Sequence, residues 1–357
     1  MTIHPFDNPL LVINAIKVFG LAVLGFIVAG ILTPLLSHYL YKYKAWKKNI
    51  PNSGIFGKTP VSHKLNKSRK TNTPRMGGLL IWVSVLILAI IMSLLALTGN
   101  QWLEKFNFLS RGQTWLLLFT LVMAGIIGLI DDLLSIRKKQ SKGFGLKWRI
   151  IIILILGFIS ALWFYYKLDW SSIHIPYFGD FEITWLYIPL FTLTMLALFG
   201  GTPVDGLDGL AGGTMTASYG AFAGLAFAQG QINIAAFCAV VGGSLLAFLW
   251  FNIPPARFYM GETGMISLTT TLAVIAFLTN SVAVLPLIAF PLFATSGSII
   301  LQGISKKIFK RKIFHSTPLH HHFEALGWPH YKITMRYWVV AIIAAVLGMV
   351  IGLIGMG

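Results

Sequence analysis

Ten apolar stretches, each long enough to cross a lipid bilayer as a helix, divide this chain of 357 residues. A spanning helix needs roughly 17–25 apolar residues, and lipid offers no partners for open backbone groups, so each stretch is expected to be helical. Hydrophobic residues make up 56% of the chain and charged residues only 11%, which excludes an ordinary soluble domain. The sequence therefore predicts an all-α polytopic integral membrane protein, with residues 1–357 forming a single transmembrane domain of about ten helices. The stretches run over 10–40, 77–98, 114–130, 150–167, 185–200, 209–229, 232–251, 264–281, 282–303 and 337–356.

Basic residues are distributed very unevenly over the loops between these stretches. Of the 28 lysines and arginines, 24 lie in the loops at about 41–76, 131–149, 252–263 and 304–336, which all fall on one side of the membrane. Cytoplasmic loops carry an excess of lysine and arginine, so this side is predicted to be cytoplasmic and both termini to lie outside. The net charge of +17 is thereby explained by topology, and nucleic acid is not an expected partner.

Six of the eleven acidic residues lie on the same side as the basic loops. Neither anionic lipid nor the excess of lysine and arginine favours acids there. They occur in four short stretches that contain glycine or proline: GLIDDLLS (128–135), PVDGLDGLAGG (203–213), ARFYMGETG (256–264) and PLHHHFE (318–324). Four loops that are far apart in sequence thus each bring carboxylates to the membrane surface. We expect these cytoplasmic loops to form one active site.

The two pairs of aspartates each have a functional and a structural interpretation. Asp131 and Asp132 end the third predicted span, where the helix dipole disfavours negative charge. A divalent cation or a cationic side chain such as Lys142 would offset that cost, and a solvated helix end is the alternative. Asp205 and Asp208 are three residues apart, which places both carboxylates on one side if the segment is helical. The surrounding glycines permit a ligand to approach the backbone, and an ordinary capped turn is the alternative.

Glu262 and three consecutive histidines complete the acidic stretches. Glu262 begins the eighth span, where a carboxylate is either a ligand for Mg²⁺ or an acid stabilised by the helix dipole. Consecutive helical residues such as His320, His321 and His322 point about 100° apart, and no cysteine set or spaced fourth ligand accompanies them. Phosphate recognition is therefore favoured over zinc, and purely structural histidines are the remaining alternative.

Two basic residues stand out from the loop at 41–76. Lys70 and Arg75 flank the turn TPRMGG (73–78), whereas the positive-inside pattern explains most of the other charges. Carboxylates for Mg²⁺, basic and histidine donors for phosphates, and Tyr259 as an aromatic ring able to stack on a base would then lie together. This combination indicates phosphoryl transfer between a nucleotide-linked donor and a lipid acceptor.

Two further patterns concern structure alone. On the outer side, IHIPYFGDFEITW (173–185) alternates apolar and polar residues, which predicts a short β-hairpin with a two-residue turn at Gly179-Asp180. In the sixth span, Gly220 and Gly224 are spaced as in close helix packing.

The chain resembles the phospho-N-acetylmuramoyl-pentapeptide transferases, within the superfamily of polyprenyl-phosphate N-acetylhexosamine-1-phosphate transferases. The resemblance covers essentially the whole chain and rests on TPRMGG (73–78), Asp131-Asp132, DGLDGLAGG (205–213) and PLHHHFEALGWP (318–329). It implies transfer of phospho-MurNAc-pentapeptide from UDP-MurNAc-pentapeptide to undecaprenyl phosphate, which gives lipid I and UMP in peptidoglycan synthesis. It also implies Mg²⁺ as cofactor, a bacterial inner membrane with the active site on its cytoplasmic side, contacts with membrane lipids and a homodimer.

The resemblance also implies roles for individual residues. Catalytic roles fall on Asp131, Asp132 and Glu262, with Asp131 as a base for the lipid phosphate and with Mg²⁺ bound by Glu262 and Asp132. Tyr259 would stack on uracil. The full set implied for substrate binding is Lys70, Arg75, Lys142, Thr202, Asp205, Asp208, Tyr259, His320, His321 and His322.

Four positions depart from the pattern of the family. Glu262 stands where aspartate is usual, Thr202 where asparagine is usual, Ser135 where lysine is usual and Arg75 where threonine is usual. Arg75 can supply the positive charge that Ser135 lacks. Because of these departures, a transferase that uses UDP-GlcNAc or a related UDP-amino sugar is the alternative. A cation-coupled transporter is the alternative of a different class, but it would place acids near the middle of the spans, where the sequence has none.

Overall fold

The computed structural model describes residues 9–46, 72–110, 112–137 and 143–354, together with the backbone of two short strands at 53–54 and 57–58. Most of the described chain is helical. Its helices are α1 (Pro9–Lys42), α2 (Leu79–Ala96), α3 (Gln101–Phe106), α4 (Gly112–Arg137), α5 (Leu146–Lys167), α6 (Tyr187–Phe199), α7 (Leu210–Ala228), α8 (Ile232–Asn252), α9 (Gly261–Leu278), α10 (Leu285–Ile288), α11 (Phe290–Ile308), α12 (Leu319–Ala325) and α13 (His330–Leu353). Single 3₁₀ turns lie at Thr184–Leu186, Thr202–Val204 and Val282–Val284.

The described part of the chain contains eight helical segments that are long and apolar enough to cross a membrane, or nine if one bent pair is counted as a span. The prediction of a multi-pass helical protein is thereby confirmed, although the predicted number of ten is not reached. The sixth predicted span corresponds to α7, a helix of 19 residues. Its glycine, serine and threonine content makes it less apolar than the other segments.

The ninth predicted span, 282–303, is not a straight helix as the apolar run suggested. The segments Val282–Ile288 and Phe290–Ile308 meet at an angle of 84°. Pro286 lies in the first turn of α10 and Pro291 in the first turn of α11. Proline favours the first helical turn and cannot donate the backbone hydrogen bond that would continue a preceding helix. A separate helix therefore begins at each proline, and the predicted span is divided in two.

Helix α9 is the centre of the bundle, and nearly all of its side chains are buried. Two of its hydroxyl groups donate to carbonyl oxygens of α4: Thr263 Oγ1 to Gly125 O (2.9 Å) and Ser267 Oγ to Leu121 O (2.7 Å). Gly128 of α4 lies directly against the α9 backbone, where a Cβ atom would collide with it. This close approach fixes the start of α9 beside the end of α4.

Lys17, a charge within the first span, is satisfied inside the bundle. Its ammonium donates to Asn233 Oδ1 (2.6 Å) and to Asn107 O (3.2 Å). These contacts lie near the N-terminal end of α1. At the C-terminal end of the same helix, Tyr41 Oη donates to Arg257 O (2.9 Å). A buried ammonium is tolerated when acceptors surround it, so Lys17 links elements at the end of the bundle opposite Arg257.

The outer β-hairpin forms, but with a different turn. Strands β3 (Ser172–Ile175) and β4 (Gly179–Glu182) pair antiparallel, and Ile175 pairs with Gly179. The loop is therefore the three-residue segment 176–178, and the predicted turn at Gly179-Asp180 is wrong. Asp180 lies opposite His174 and their side chains pair at 2.8 Å, which stabilises this register. A second pair of short strands, Ser53–Gly54 and Gly57–Lys58, was not predicted.

Candidate active site

The turn TPRMGG (73–78) pairs with the segment that leads into α9. Tyr259 N donates to Pro74 O, and Gly77 N donates to Tyr259 O, both at 2.8 Å. Gly78 N then donates to Met260 O, also at 2.8 Å. Gly78 packs so closely on Gly264 that any side chain at position 78 would collide with it. This pairing places Arg75 and Tyr259 at the end of the bundle where α9 begins.

The paired aspartates lie within α4 rather than at its end. The helix continues to Arg137, seven residues beyond the predicted limit at 130. The Asp131 side chain is fully buried, and Oδ1 accepts hydrogen bonds from Phe144 N (2.7 Å) and Arg149 Nε (3.1 Å). Oδ2 accepts a further one from Arg149 Nη2 (2.5 Å). Asp131 thus already accepts three hydrogen bonds, two on Oδ1 and one on Oδ2.

Arg149 is the cation that sequence reasoning missed. Besides Asp131, it binds Glu262, since Arg149 Nη1 donates to Glu262 Oε1 at 2.5 Å. The sequence suggests Lys142 for this role, but that residue lies outside the described residues. The only signal in the sequence was an arginine directly before the apolar run of α5, and it was counted with the other basic residues of the cytoplasmic loops.

Asp132 and Glu262 each keep one oxygen without a hydrogen-bond partner among the described residues. Asp132 Oδ2 accepts a hydrogen bond from Thr263 N (3.0 Å), whereas its buried Oδ1 has no partner. Glu262 Oε2 is likewise buried and without a partner. Glu262 and Arg75 both act on Asp132 electrostatically, so these charges lie within one small region.

The two open carboxylate oxygens fit a hard divalent cation. Mg²⁺ is usually bound through one or two carboxylates and keeps several waters or phosphate oxygens. In the described ranges, no group of three histidine, cysteine, aspartate or glutamate side chains is arranged to hold a metal ion. Among the described residues, Asp132 and Glu262 each have one carboxylate oxygen without a partner with which they could bind such a cation, and water or substrate would supply the remaining ligands.

Asp205 joins this region from another loop. Its Oδ2 accepts a hydrogen bond from Gly261 N at 2.8 Å, directly before Glu262. Burial raises the pKa of the Asp205 carboxyl to about 6, although the nearby Arg75 charge acts to lower it. Thr202 is buried in the 3₁₀ turn that precedes Asp205. Asp205 therefore contributes a carboxyl group beside the start of α9.

Asp208 has different hydrogen-bond partners from Asp205, because the segment that carries both residues is not helical, the condition under which they would share one side. Helix α7 begins only at Leu210, and Gly209 has a left-handed backbone with φ +75°. Asp208 Oδ2 accepts from Ala256 N (3.1 Å). Both aspartates therefore precede the helix, and their spacing in the sequence does not determine which groups their carboxylates contact.

The three histidines of α12 lie in three different environments. His320 is fully buried, with its ring against Gly206 of the DGLDG stretch. His321 Nδ1 pairs with Glu324 Oε2 at 2.7 Å. His322 accepts a hydrogen bond from the His315 backbone N–H, and burial together with the neighbouring His315 lowers the pKa of His322. Their contacts with phosphate stay a prediction.

The four acidic stretches thus meet at one end of the bundle. Asp131 and Asp132 adjoin Glu262 through Arg149 and Thr263, Asp205 adjoins the start of α9, and the histidine helix packs on the loop of Asp205. Lys70 lies outside the described residues, as Lys142 does. The structure therefore brings together most of the predicted set, while Asp208, His321 and His322 hold partners of their own.

Comparison with known proteins places the chain in a family. Residues 114–280 match the model of glycosyl transferase family 4. The chain is 34% identical to the phospho-N-acetylmuramoyl-pentapeptide-transferase of Bacillus pumilus, an alignment that covers 92% of this chain and 96% of that protein. The chain belongs to the phospho-N-acetylmuramoyl-pentapeptide-transferase family.

Other members of the phospho-N-acetylmuramoyl-pentapeptide-transferase family match equally well. The protein of that name from Geobacillus thermodenitrificans is 35% identical, over 94% of this chain and 98% of its own length. The one from Bacillus mycoides is also 35% identical, over 92% of this chain and 95% of its own length. The similarity therefore covers more than nine tenths of the chain.

Proposed function

We propose that this protein transfers phospho-MurNAc-pentapeptide from UDP-MurNAc-pentapeptide to undecaprenyl phosphate, with lipid I and UMP as products. The proposed setting is a bacterial inner membrane, with Mg²⁺ as cofactor and the site on the cytoplasmic side. The names and near-complete coverage of the relatives support this substrate pair. The distribution of basic residues supports the orientation.

One observation carries the proposal: carboxylates from α4, from the DGLDG stretch and from the start of α9 converge beside two arginines. Asp132, Asp205 and Glu262 come from three segments that are more than 50 residues apart in sequence, and Arg75 and Arg149 lie among them. Phosphoryl transfer needs little covalent chemistry from a protein, and it depends mostly on positioning and on charge stabilisation. A mixed cluster of this kind provides both.

Each part of the cluster has a task in the proposed reaction. Mg²⁺, when bound by Asp132 and Glu262, would neutralise charge on the diphosphate. Arg75 is placed to donate to phosphate oxygens, and guanidinium groups suit that task because of their fixed fork of N–H donors. Tyr259 lies beside Arg75 through the backbone pairing described above, where its ring can stack on the uracil.

The position of the acids argues against a cation-coupled transporter. Asp131 and Asp132 lie near the C-terminal end of α4, and Glu262 is the second residue of α9. A transport site would place its ionisable groups near the middle of the bilayer. The described carboxylate cluster instead faces the loops at one end of the bundle.

The direct test is UMP release by the purified full-length protein in detergent with Mg²⁺ and undecaprenyl phosphate. We expect UMP from UDP-MurNAc-pentapeptide and no UMP when the lipid acceptor is left out. UMP from UDP-GlcNAc alone would contradict the proposed donor and favour the alternative transferase. Release of UMP from neither donor would contradict the reaction class.

Removal of the open carboxylate oxygens should abolish most of the turnover. We expect Asp132→Asn and Glu262→Gln each to lower kcat by about 10²-fold or more, since each removes charge at the centre of the proposed site. The matched control is Glu182→Gln, which removes an acid from the exposed hairpin and should leave kcat unchanged. Near-normal turnover of Asp132→Asn at saturating Mg²⁺ would refute the role of this carboxylate.

A further inference from the structure

One arginine, Arg149, binds two carboxylates of the cluster at once, Asp131 and Glu262. The Arg149 side chain is only 17% exposed, and its guanidinium donates to both oxygens of Asp131 and to Oε1 of Glu262. Asp131 also accepts a hydrogen bond from Phe144 N. Both oxygens of Asp131 are therefore occupied, and this aspartate anchors the guanidinium in place.

The same contacts decide which oxygens stay open. Arg149 holds Glu262 by Oε1 and leaves Oε2 without a partner among the described residues. No described hydrogen bond joins Arg149 to Asp132, whose Oδ1 is likewise open. Arg149 thus binds Asp131 and Oε1 of Glu262. It leaves Oε2 of Glu262 and Oδ1 of Asp132 without a partner among the described residues.

The guanidinium also sets the charge that an incoming cation meets. Asp131, Asp132, Asp205 and Glu262 carry four formal negative charges. Arg75 acts on Asp132 and Asp205 electrostatically, whereas Arg149, which stays protonated in proteins, pairs directly with Asp131 and Glu262. A divalent cation at the open oxygens would share Glu262 with the guanidinium and would be repelled by it. Such repulsion is strong at contact distance in a site that is partly shielded from water.

We propose that Arg149 is a positioning residue that serves as the internal counter-cation of this cluster and keeps the affinity for a free divalent cation low. The cation then binds firmly only together with a diphosphate, whose oxygens complete its coordination. The ligand of the site is accordingly a complex of a divalent cation with a nucleoside diphosphate. This inference rests on the proposed function, because it concerns the metal site of phosphoryl transfer.

The test measures metal binding rather than turnover. Mn²⁺ is titrated into the full-length protein in detergent, with and without UDP, and the free ion is followed by electron paramagnetic resonance. In the unaltered protein we expect UDP to tighten Mn²⁺ binding. In Arg149→Gln we expect Mn²⁺ without UDP to bind about tenfold tighter or more, because one repelling charge is gone and Glu262 Oε1 is released.

Two control variants separate this effect from a general change in charge. Lys147→Gln removes a positive charge from an exposed side chain in the same turn of α5, and we expect less than about a twofold change because solvent screens it. The double variant Asp131→Asn with Arg149→Gln restores the net charge of the cluster. Its Mn²⁺ affinity should return to within about threefold of the unaltered protein.

A purely structural Arg149 would give a different result. Unchanged or weaker Mn²⁺ binding in a folded Arg149→Gln variant overturns the proposal, whatever happens to its thermal stability. If that variant does not fold, Glu262→Asp carries the test, because the shorter side chain withdraws from Arg149 and frees both oxygens for the cation. It should also bind Mn²⁺ more tightly without UDP, and equal or weaker binding overturns the proposal.

The Mn²⁺ titration distinguishes a failure of the role proposed for Arg149 from a failure of the proposed transfer reaction. Mn²⁺ titration needs neither a donor sugar nor the lipid. If Mn²⁺ affinity follows the charge of the cluster while no donor yields UMP, the transfer reaction fails and the role of Arg149 stands. If UMP is released normally while Arg149→Gln leaves Mn²⁺ affinity unchanged, the inference about Arg149 fails alone.

Discussion

Asp131 and Asp132 are adjacent residues of the same type, but their hydrogen-bond partners differ. Asp131 accepts hydrogen bonds from Arg149 and Phe144 on both of its oxygens, whereas Asp132, the next residue, has one oxygen without a partner. The two aspartates of the pair thus differ in their hydrogen bonding, which their identical residue type could not reveal.

Asp205 should lower stability at neutral pH. Its pKa is raised from 3.8 to about 6 by burial, so the folded protein binds this proton more tightly than the unfolded chain does. Its contribution to stability is thus greatest below about pH 4 and is lost as the pH rises through about 6. A shift of about two units corresponds to about 3 kcal/mol. Asp205→Asn should therefore raise the free energy of unfolding near pH 8, by up to that amount.

The check is thermal unfolding of the detergent-solubilised protein without substrate at two pH values. Asp205→Asn should raise Tm near pH 8 and leave it nearly unchanged near pH 4, while UMP release falls. Glu182→Gln, in which an exposed carboxylate of the hairpin is removed, should show no such dependence on pH. An equal shift of Tm at both pH values would contradict the assigned burial cost.

At the level of single residues, the sequence identified the acids but not their cation. The acidic residues in the loops on the basic side stood out, because the positive-inside rule does not account for acids there. Arg149 did not stand out, because the excess of basic residues in cytoplasmic loops already accounts for an arginine at this position. The separate environments of His320, His321 and His322 depend on the fold of α12 against other loops, which a run of three identical residues does not encode.

At the level of elements, glycines decide where helices approach most closely. The small residues Gly220 and Gly224 of α7 suggested close packing, but the structure leaves open space around Gly220, and Gly224 meets only the flexible side chain of Met349. The tightest contact instead joins α1 to α8, where a Cβ on Gly243 would collide with the carbonyl oxygen of Ala22. Spacing alone does not show which face of a helix meets a neighbour.

Gly243→Ala should destabilise the bundle, whereas Gly220→Ala should not. The added methyl group at Gly243 meets backbone atoms that cannot rotate away, and overpacking of this kind costs about 1–3 kcal/mol. At the exposed Gly220 the same substitution favours the helix by about 0.5–1 kcal/mol. Thermal unfolding of both variants in detergent checks this, and equal Tm values would contradict the assigned contact between α1 and α8.

Element boundaries were predictable only where hydropathy defined them. The apolar runs gave the positions of most spanning helices within a few residues, but α13 begins seven residues before its predicted start at 337. Helix α4 continues seven residues beyond its apolar run because Asp131 and Asp132 find partners inside the protein. The break between α10 and α11 was missed because the residues around it are as apolar as the spans. Two prolines near the break were the available signal.

At the level of the whole molecule, the convergence of distant loops followed from topology. Once the basic loops were assigned to one side, the acidic stretches had to lie at the same end of the bundle, and the described contacts confirm that they meet there. The distances within the cluster could not be obtained in this way. They depend on glycine contacts such as that between Gly78 and Gly264, which let α2 and α9 approach.

The orientation in the membrane is the remaining prediction at this level, and cysteine labelling tests it. Native Cys238 is fully buried, so a single introduced cysteine reports its own location. Tyr177→Cys lies in the exposed hairpin at one end of the bundle, and Lys312→Cys lies in an exposed loop near the site at the other end. A membrane-impermeant maleimide should label Tyr177→Cys in intact cells and Lys312→Cys only after permeabilisation, because basic loops stay in the cytoplasm. The reverse pattern would place the carboxylate cluster outside the cell, away from any cytoplasmic nucleotide donor.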